Sequence, residues 1–196
     1  RRPSHVDQHA IEFAPSNADI LYAGHDGGFD RSTNGGLTYI GKNDNLPISQ
    51  YYDIDVAYDN PDLVIGGTQD NGTHLRTQPT VDWNYETGGD GMSCLIDYTN
   101  SNIMYSSMQY GQNRWKSTNG GASWSRMMSG IEGTGTWVVP MILHPTNPQI
   151  LFTATYSHIY KTTNGGVQWV ALAPSPTNSA AIEQIAVSPA NADNMA

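Results

Sequence analysis

A ten-residue phrase that occurs three times constrains the fold of this 196-residue chain more than any other feature. It reads DRSTNGGLTY at 30–39, WKSTNGGASW at 115–124 and YKTTNGGVQW at 160–169. A worn copy, LRTQPTVDW at 75–83, keeps the basic residue and the tryptophan. Aligned on the basic residue, the copies start from Arg31, Arg76, Lys116 and Lys161, so their spacings are 45, 40 and 45.

A second phrase has the same period. Segments such as FAPSNADILYAG (13–24) and LHPTNPQILFTA (143–154) align on an asparagine with spacings of 43, 40, 47 and 44. The aligned asparagines are Asn17, Asn60, Asn100, Asn147 and Asn191. Two unrelated phrases with one period indicate a repeat architecture, and a period of 40–45 residues is typical of propeller blades.

Composition supports an all-β fold, because 20 glycines, 11 prolines and only 14% charged residues indicate short strands and tight turns. In one repeat, QHAIEFA, ILYAG, FDRS and LTYIG read as four strands separated by turn residues. We therefore predict a β-propeller of four-stranded antiparallel blades. The predicted blades span about 5–45, 48–86, 90–128 and 136–172, and the start of the next spans 180–196. We interpret residues 1–196 as a single partial propeller domain that is part of a larger propeller, because four blades alone leave an open arc.

The repeated motif [ST]-T-N-G-G-x-x-[WY] resembles the Asp-box, or BNR, repeat of sialidases, sortilin-type receptors and xyloglucan-hydrolysing enzymes. The usual form is S-x-D-x-G-x-T-W, and here asparagine stands at the aspartate position. A short side-chain oxygen can accept backbone N–H groups across the turn, and glycine supplies backbone angles that other residues resist. We expect the aromatic residue to anchor the turn into the blade. Asn34, Asn119 and Asn164 are therefore predicted to be structural.

Strand order predicts which side of the propeller carries a site. The turns after strands one and three of each blade lie on one face, and the turns after strands two and four lie on the other. Because the Asn-Gly-Gly turns follow strand three, a functional site is expected on the opposite face, as the resemblance also implies. Counting back ten or eight residues from each anchoring asparagine reaches the links into the innermost strands. These positions are Asp7, Gln50, Asp90, Trp137 and Ala181, then His9, Tyr52, Met92, Val139 and Glu183.

Two aspartates are the candidate catalytic residues. GHDGGFDR (24–31) is similar to the T-D-x-G-G-x-Y-R stretch of xyloglucanase-like enzymes, which implies that Asp26 corresponds to one catalytic aspartate. GGDGM (88–92) partly resembles the region of the second, so Asp90 is its candidate partner. The glycine pair here follows Asp26 directly, without the intervening residue of the family. Both aspartates also have a plain interpretation as turn residues, and the family carries two large propellers.

Five further residues are candidates for ligand binding: Asp7, His9, Asp70, Tyr52 and Trp137. The aromatic pair can stack on sugar rings or pack between blades, and Asp70 also suits a hairpin turn. His5, Asp7 and His9 occupy alternate positions that could project one way from a strand. Since no distant ligand cluster completes that set, we predict no metal, and we predict no cofactor.

These observations favour a secreted, carbohydrate-associated propeller, and they leave two functions open. One is hydrolysis of polysaccharide glycosidic bonds by an aspartate pair, which is the glycoside hydrolase reading. The alternative is a non-catalytic cell-surface propeller, similar to sortilin, that binds a protein or glycan or serves as a scaffold. The low lysine content suits an extracellular location, and the apolar neighbours of the single cysteine, Cys94, predict that it is buried. A formal charge of −9 argues against a nucleic-acid surface, and no apolar run is long enough to span a bilayer.

Overall fold

Short strands joined by tight turns make up the structure, a computed structural model that describes residues 5–44, 49–79, 82–174 and 180–190. The strands form four antiparallel sheets, and each sheet contains four strands in chain order. This arrangement confirms the predicted all-β fold of four-stranded blades. The chain divides into two compact units, Arg1–Gln50 and Tyr51–Ala196. The predicted limits of the complete domain stay a prediction.

The first unit contains blade 1. Its strands are β1 (Gln8–Ala14), β2 (Asn17–His25), β3 (Gly28–Ser32) and β4 (Ile40–Gly41). β1 coincides with the predicted strand QHAIEFA, whereas the predicted strand LTYIG is reduced to Ile40–Gly41. The reason is local, because the Asn34 side-chain oxygen accepts the Thr38 N–H at 2.9 Å and keeps the preceding residues in the turn.

The second unit contains three blades and the segment 180–190, which holds no sheet of its own. Blade 2 comprises β5 (Tyr51–Val56), β6 (Val64–Thr68), β7 (Gly72–Arg76) and β8 (Asn84–Thr87). Blade 3 comprises β9 (Gly91–Ile96), β10 (Met104–Met108), β11 (Arg114–Ser117) and β12 (Ser125–Arg126). Blade 4 comprises β13 (Met141–His144), β14 (Asn147–Ala154), β15 (His158–Thr162) and β16 (Trp169–Pro174).

The three Asn-Gly-Gly turns share one hydrogen-bonding scheme. The side-chain oxygens of Asn34, Asn119 and Asn164 each accept the N–H of the residue four positions later, at 2.9–3.0 Å. Both glycines of every turn have positive φ, between 63° and 89°, which explains why glycine fills both positions. The structural role predicted for these asparagines is confirmed.

The two repeated phrases contact each other in blades 1, 3 and 4. The first glycine of each Asn-Gly-Gly turn donates its N–H to a carbonyl at the beginning of the blade's second strand or in the turn just before it. The three acceptors are Asp19, Asn102 and Gln149, at 2.9, 3.0 and 2.8 Å. The turns after strands one and three therefore lie on the same side of each blade, as predicted.

Apolar side chains between successive blades of the second unit form its core. One cluster joins Ile65 and Leu75 of blade 2 to Cys94, Ile96 and Met104 of blade 3. A second, around Tyr105, Leu151 and Trp169, joins blades 3 and 4, and a third packs Ile182 and Ile185 against blade 4. Face-on packing of neighbouring sheets follows from these clusters, and the predicted burial of Cys94 is confirmed.

The tryptophans that follow the Asn-Gly-Gly turns also hold neighbouring blades together. Trp124 Nε1 donates to the Glu86 carboxylate of blade 2 at 2.9 Å. Trp169 Nε1 donates to the Met127 carbonyl, which follows blade 3, at 3.0 Å. Trp169 also pairs with Thr162 of its own blade and lies in one apolar cluster with Leu151 and Tyr160 of that blade, as expected of an anchor.

No helix in the described part of the chain has the length and apolar character needed to cross a membrane.

Candidate functional site

On the side opposite the Asn-Gly-Gly turns, the loops of the second unit bond to one another. The Asp90 carboxylate accepts the N–H of Asp70 at 2.6 Å, which ties the link into β9 to the turn after β6. The Asp90 N–H donates to the Gln109 side-chain oxygen at 3.0 Å, and the Gln109 N–H donates to the Asp90 carbonyl at 3.2 Å. The predicted separation of turn types onto two sides therefore holds in this unit.

Three aromatic side chains meet on this loop side, and we call Tyr52, Tyr110 and Trp137 the aromatic cluster. The Trp137 ring stands nearly perpendicular to both tyrosines, with centroid distances of 5.1 Å to Tyr110 and 6.3 Å to Tyr52. Trp137 Nε1 donates to the Tyr52 hydroxyl at 2.8 Å, and that hydroxyl donates to the Gln69 side-chain oxygen at 2.7 Å. Residues 85 positions apart in the chain thus fix one another's rings.

The backbone around the cluster is also fixed. The Tyr110 N–H donates to the Trp137 carbonyl at 3.0 Å, and the Gly135 N–H donates to the Tyr110 carbonyl at 2.9 Å. Tyr110 and Asp70 both have positive φ, 56° and 62°, a conformation that costs free energy for residues with a side chain. Strained non-glycine residues concentrate at functional sites, which makes this loop side the candidate site.

Arg114 supports the turn that carries Tyr110. Its fully buried guanidinium donates to the Gly111 carbonyl at 2.8 Å, to the Ala154 carbonyl at 2.9 Å and to the Thr153 hydroxyl at 2.9 Å. Burial lowers the pKa of Arg114 to about 10, and Tyr160 offsets part of that shift. Arg114 forms no ion pair with the residues that the structure describes. Neutral oxygens therefore stabilise the positive charge of Arg114, and its hydrogen bond to the Gly111 carbonyl positions the 109–111 turn.

Two adjoining clefts lie beside the cluster. One, of about 320 Å³, is lined by Thr136, Trp137, Val138 and Glu183. The other, of about 380 Å³, shares Val138 and Glu183 and extends past Tyr52 and Asp53 along the innermost strands. Trp137 is 38% exposed, so part of its indole faces the solvent at the mouth of these clefts.

Asp53 is the most perturbed carboxylate of the clefts. Burial raises its pKa, two hydrogen bonds from the Cys94 and Ile54 N–H groups lower it, and the charge of Asp55 raises it further. Asp53 and Asp55 accept the N–H groups of Cys94 and Ile96 at 3.0 and 2.7 Å, and so join β5 to β9. Their first role is to connect two innermost strands.

The first unit holds the remaining predicted site residues. His9 Nε2 contacts the Asp26 carboxylate directly. His5 stacks on His25 at 5.5 Å, and Asp7, with φ of 56°, precedes β1. The expectation that His5, Asp7 and His9 project one way from a strand was wrong, because the strand begins at Gln8.

The catalytic pairing of Asp26 with Asp90 stays a prediction, as do the binding roles of Asp7, His9, Asp70, Tyr52 and Trp137. The structure brings together four predicted residues of the second unit, namely Asp70, Asp90, Tyr52 and Trp137, through the loop contacts above. Sequence reasoning did not single out Tyr110, Gln69, Gln109 or Arg114. The loop MQYGQN (108–113) was placed on the correct side, but no sequence signal shows that Tyr110 turns toward Trp137.

Neither a family model nor a curated protein matches this chain. Among solved structures, an ancestral GH74 enzyme aligns with 93% of this chain at 20% identity and a TM-score of 0.61. The GH74 xyloglucanase from Xanthomonas campestris aligns with 96% at 13% identity and a TM-score of 0.56. YCF48 bound to D1 peptide aligns with 94% at 10% identity and a TM-score of 0.50.

The fold is that of a β-propeller. The GH74 enzymes and YCF48 are β-propeller proteins, and the four sheets described above have the architecture of blades. The chain spans 26% and 35% of the length of the two GH74 enzymes, and 60% of YCF48. At identities of 10–20%, these similarities carry the fold and not the activity.

Proposed function

We propose that this chain is part of a carbohydrate-associated β-propeller that binds a polysaccharide on its loop side. The aromatic cluster is the observation that carries the proposal. An indole that is partly exposed and held by two tyrosines offers an apolar face on which a sugar ring can stack. Its cost of ordering on binding is small, because the ring is already fixed by hydrogen bonds.

The polar groups around the cluster suit sugar hydroxyls. Glu183 and Gln69 provide side-chain oxygens beside Trp137 and Tyr52, and the two clefts give an extended ligand room along the innermost strands. Concave sites with aromatic walls and a few convergent polar groups are the usual form of ligand pockets. The GH74 enzymes, one of them a xyloglucanase, support polysaccharides as the ligand class to test first.

Titration with xyloglucan and cello-oligosaccharides, followed by calorimetry, tests the proposal. Trp137→Ala is expected to weaken binding about tenfold or more, as removal of a central aromatic anchor usually does. The matched control is Tyr58→Ala, because Tyr58 is 88% exposed and lies in the turn between β5 and β6, away from the loop side. Equal affinity of wild type and Trp137→Ala, or a loss with Tyr58→Ala instead, contradicts it.

Hydrolysis of the bound polysaccharide is the second candidate function. The resemblance of 24–31 and 88–92 to the xyloglucanase motifs supports it, with Asp26 and Asp90 as acid and base. An inverting pair needs a carboxyl separation of roughly 6.5–9.5 Å. If Asp26→Asn and Asp90→Asn each abolish turnover while binding persists, the enzyme proposal stands; absence of turnover by the wild type leaves a binding propeller of the sortilin type, with a glycan or protein ligand.

Two finer assignments belong to the same proposal. We assign the three Asn-Gly-Gly turns to the Asp-box class, supported by their shared hydrogen bonds. We also place the protein outside the cell or on its surface, supported by its low lysine content. Immunoblotting of the culture medium and the cell fraction tests the location.

A further inference from the structure

The two junctions between blades of the second unit contain equivalent residues. Trp124 and Trp169 each follow an Asn-Gly-Gly turn and cross to the preceding blade. Trp115 and Tyr160 each precede the basic residue of the repeat, on the strand beside that turn. Because these residues occupy equivalent positions at both junctions, a difference in their burial or hydrogen bonding arises from the chain segment that covers them.

At the junction of blades 3 and 4, a segment of the chain itself covers the outer side. The link from β12 to β13 is long, and within it the Ser129 carbonyl accepts the Trp169 N–H at 2.9 Å. The Ser129 hydroxyl donates to the Gln168 side-chain oxygen at 2.7 Å, and Ile131 packs against the core cluster. The Glu132 N–H donates to the Tyr160 hydroxyl at 3.2 Å. A turn at Ser129 and Gly130, closed by the Ile131 N–H on the Met128 carbonyl at 3.1 Å, begins this segment. Ser129–Glu132 thus lies along blade 4 as a short cover.

At the junction of blades 2 and 3, the corresponding place is open. The link from β8 to β9 consists of residues 88–90 only, so it passes directly inward. A groove of about 430 Å³ remains, which we call the side groove; it is lined by Glu86, Thr87, Gly88, Trp115, Gly121, Ala122, Ser123 and Trp124. Among the described residues, the Trp115 indole N–H has no hydrogen-bond partner. Within the same residues, no carbonyl accepts the main-chain N–H of Trp124, whereas the Ser129 carbonyl accepts the main-chain N–H of Trp169.

We propose that the side groove binds a short peptide segment of a partner protein, whose backbone makes a turn there. The segment would occupy the place that Ser129–Glu132 fills at the next junction. One of its backbone carbonyls would accept the main-chain N–H of Trp124, and an aliphatic side chain would pack against Trp115. Recognition of a peptide through main-chain hydrogen bonds and pockets for its side chains is a recurring mode of peptide binding. The covered junction supplies the template for the ligand within the same chain.

The negative charge at the side groove indicates which peptide sequences bind best. At the covered junction the indole N–H of Trp169 donates to the Met127 carbonyl, which is neutral. At the side groove the indole N–H of Trp124 donates to the Glu86 carboxylate, which is negatively charged. The chain carries a formal charge of −9. A segment with a lysine or arginine after its aliphatic residue is therefore favoured over an acidic one.

The probe is the blocked heptapeptide Met-Ser-Gly-Ile-Lys-Gly-Thr, which follows residues 128–134 with lysine in place of Glu132. Titration into ¹⁵N-labelled protein is followed at the indole signals of its five tryptophans. Saturable shifts are expected at Trp115 and Trp124. Trp169, already covered, and Trp137, on the loop side, are expected to stay unchanged, so the result is independent of carbohydrate binding.

Matched variants come from the same repeat position. Ala122 and Val167 are both exposed and each lies three residues after the asparagine of its turn. Ala122→Arg fills the side groove and repels the basic probe, and is expected to weaken binding about tenfold. Val167→Arg, in blade 4, is expected to have no effect. The proposal is overturned if the probe causes no saturable shift at millimolar concentration, if Ala122→Arg binds as well as wild type, or if cello-oligosaccharides shift Trp115 and Trp124 while the peptide does not.

Discussion

The asparagine of each repeated turn acts through a neutral amide. In the turn of blade 3, the Asn119 side-chain oxygen accepts the Ser123 N–H at 2.9 Å and the Ser117 hydroxyl at 3.0 Å, and its amide donates to the Ser123 hydroxyl at 2.9 Å. An aspartate could accept the first two bonds but could not donate the third. Asparagine therefore satisfies the same turn without adding negative charge to a chain at −9.

Asn119→Ala removes all three bonds and is expected to lower the free energy of unfolding by about 1–2 kcal/mol, because a typical hydrogen bond contributes about 1 kcal/mol and the site is exposed. Urea unfolding of the purified chain measures the change. Asn119→Asp is the control and is expected to lose less than half as much, since both accepted bonds remain. Equal stability of Asn119→Ala and wild type would show that the glycines alone set this turn.

Asp53 makes stability depend on pH. Because burial raises its pKa above 3.8, the folded state holds this proton more tightly than the unfolded state. Stability contributed by the group is therefore present below pH 3.8 and is lost as pH rises through the folded pKa. Asp53→Asn lacks this loss and keeps an oxygen for the Cys94 N–H.

The unfolding free energy of Asp53→Asn minus that of wild type is accordingly expected to increase from about pH 4 upward and then level off. Urea denaturation at a series of pH values between about 3 and 7 provides the comparison. A difference that stays constant with pH, or that decreases, would contradict the inferred direction of the shift.

At the scale of elements, the length of the links between blades decides how each junction is covered. β8 and β9 are joined by three residues, whereas β12 and β13 are joined by the long segment that carries Ser129–Glu132. Trp169 is 1% exposed beneath that segment, and Trp124 is only half-buried beside the side groove. Trp124 and Trp169 thus have different surroundings, although they occupy the same position of the repeat, because the links from β8 to β9 and from β12 to β13 differ in length.

This difference predicts unequal costs of truncation. Trp169→Ala leaves a cavity in a closed core and is expected to lower the unfolding free energy by about 3–5 kcal/mol. Trp124→Ala is expected to cost clearly less, because solvent already reaches its junction. The two variants are compared by urea unfolding, with Trp83→Ala, in the worn copy at 75–83, as the control. Equal losses for Trp124 and Trp169 would mean that the cover does not stabilise its junction.

The elements were the most predictable part of this protein. Alternation of apolar residues and turn residues predicted β1, and the repeat period predicted four strands per blade. β4 is shorter than predicted because the Asn34 side chain holds Thr38 in the turn, a competition that propensity does not show. The hydrogen bonds of Trp124 and Trp169 to the preceding sheet were missed for a different reason, since a single repeat contains only one sheet.

At the scale of the whole molecule, sequence order predicted which loops share a side, but not which side chains meet there. Asp90 and Trp137 were found by counting from an anchoring asparagine, because position within a repeat fixes the place within a blade. Tyr110 and Arg114 could not be found in this way. Tyr110 reaches Trp137 only through a positive φ, and Arg114 acts through carbonyls of two blades, so both depend on contacts between repeats.

The distribution of the core predicts how the chain folds in pieces. All three apolar clusters join blades 2, 3 and 4 or the segment 180–190, and none of them includes a described residue from 5–44. A sheet gains most of its stability by covering an apolar face, and repeat units depend on their neighbours.

Residues Tyr51–Ala196 are therefore expected to fold alone and to unfold cooperatively in urea, with dispersed amide signals and a near-ultraviolet circular dichroism signal from Trp169. Residues Arg1–Gln50, produced alone, are expected to stay unfolded, since Ile11 and Phe13 of β1 are 52% and 59% exposed and find no covering sheet within that unit. A cooperative transition of the short piece, or a gradual one of the long piece, would show that stability does not reside in the packing between blades.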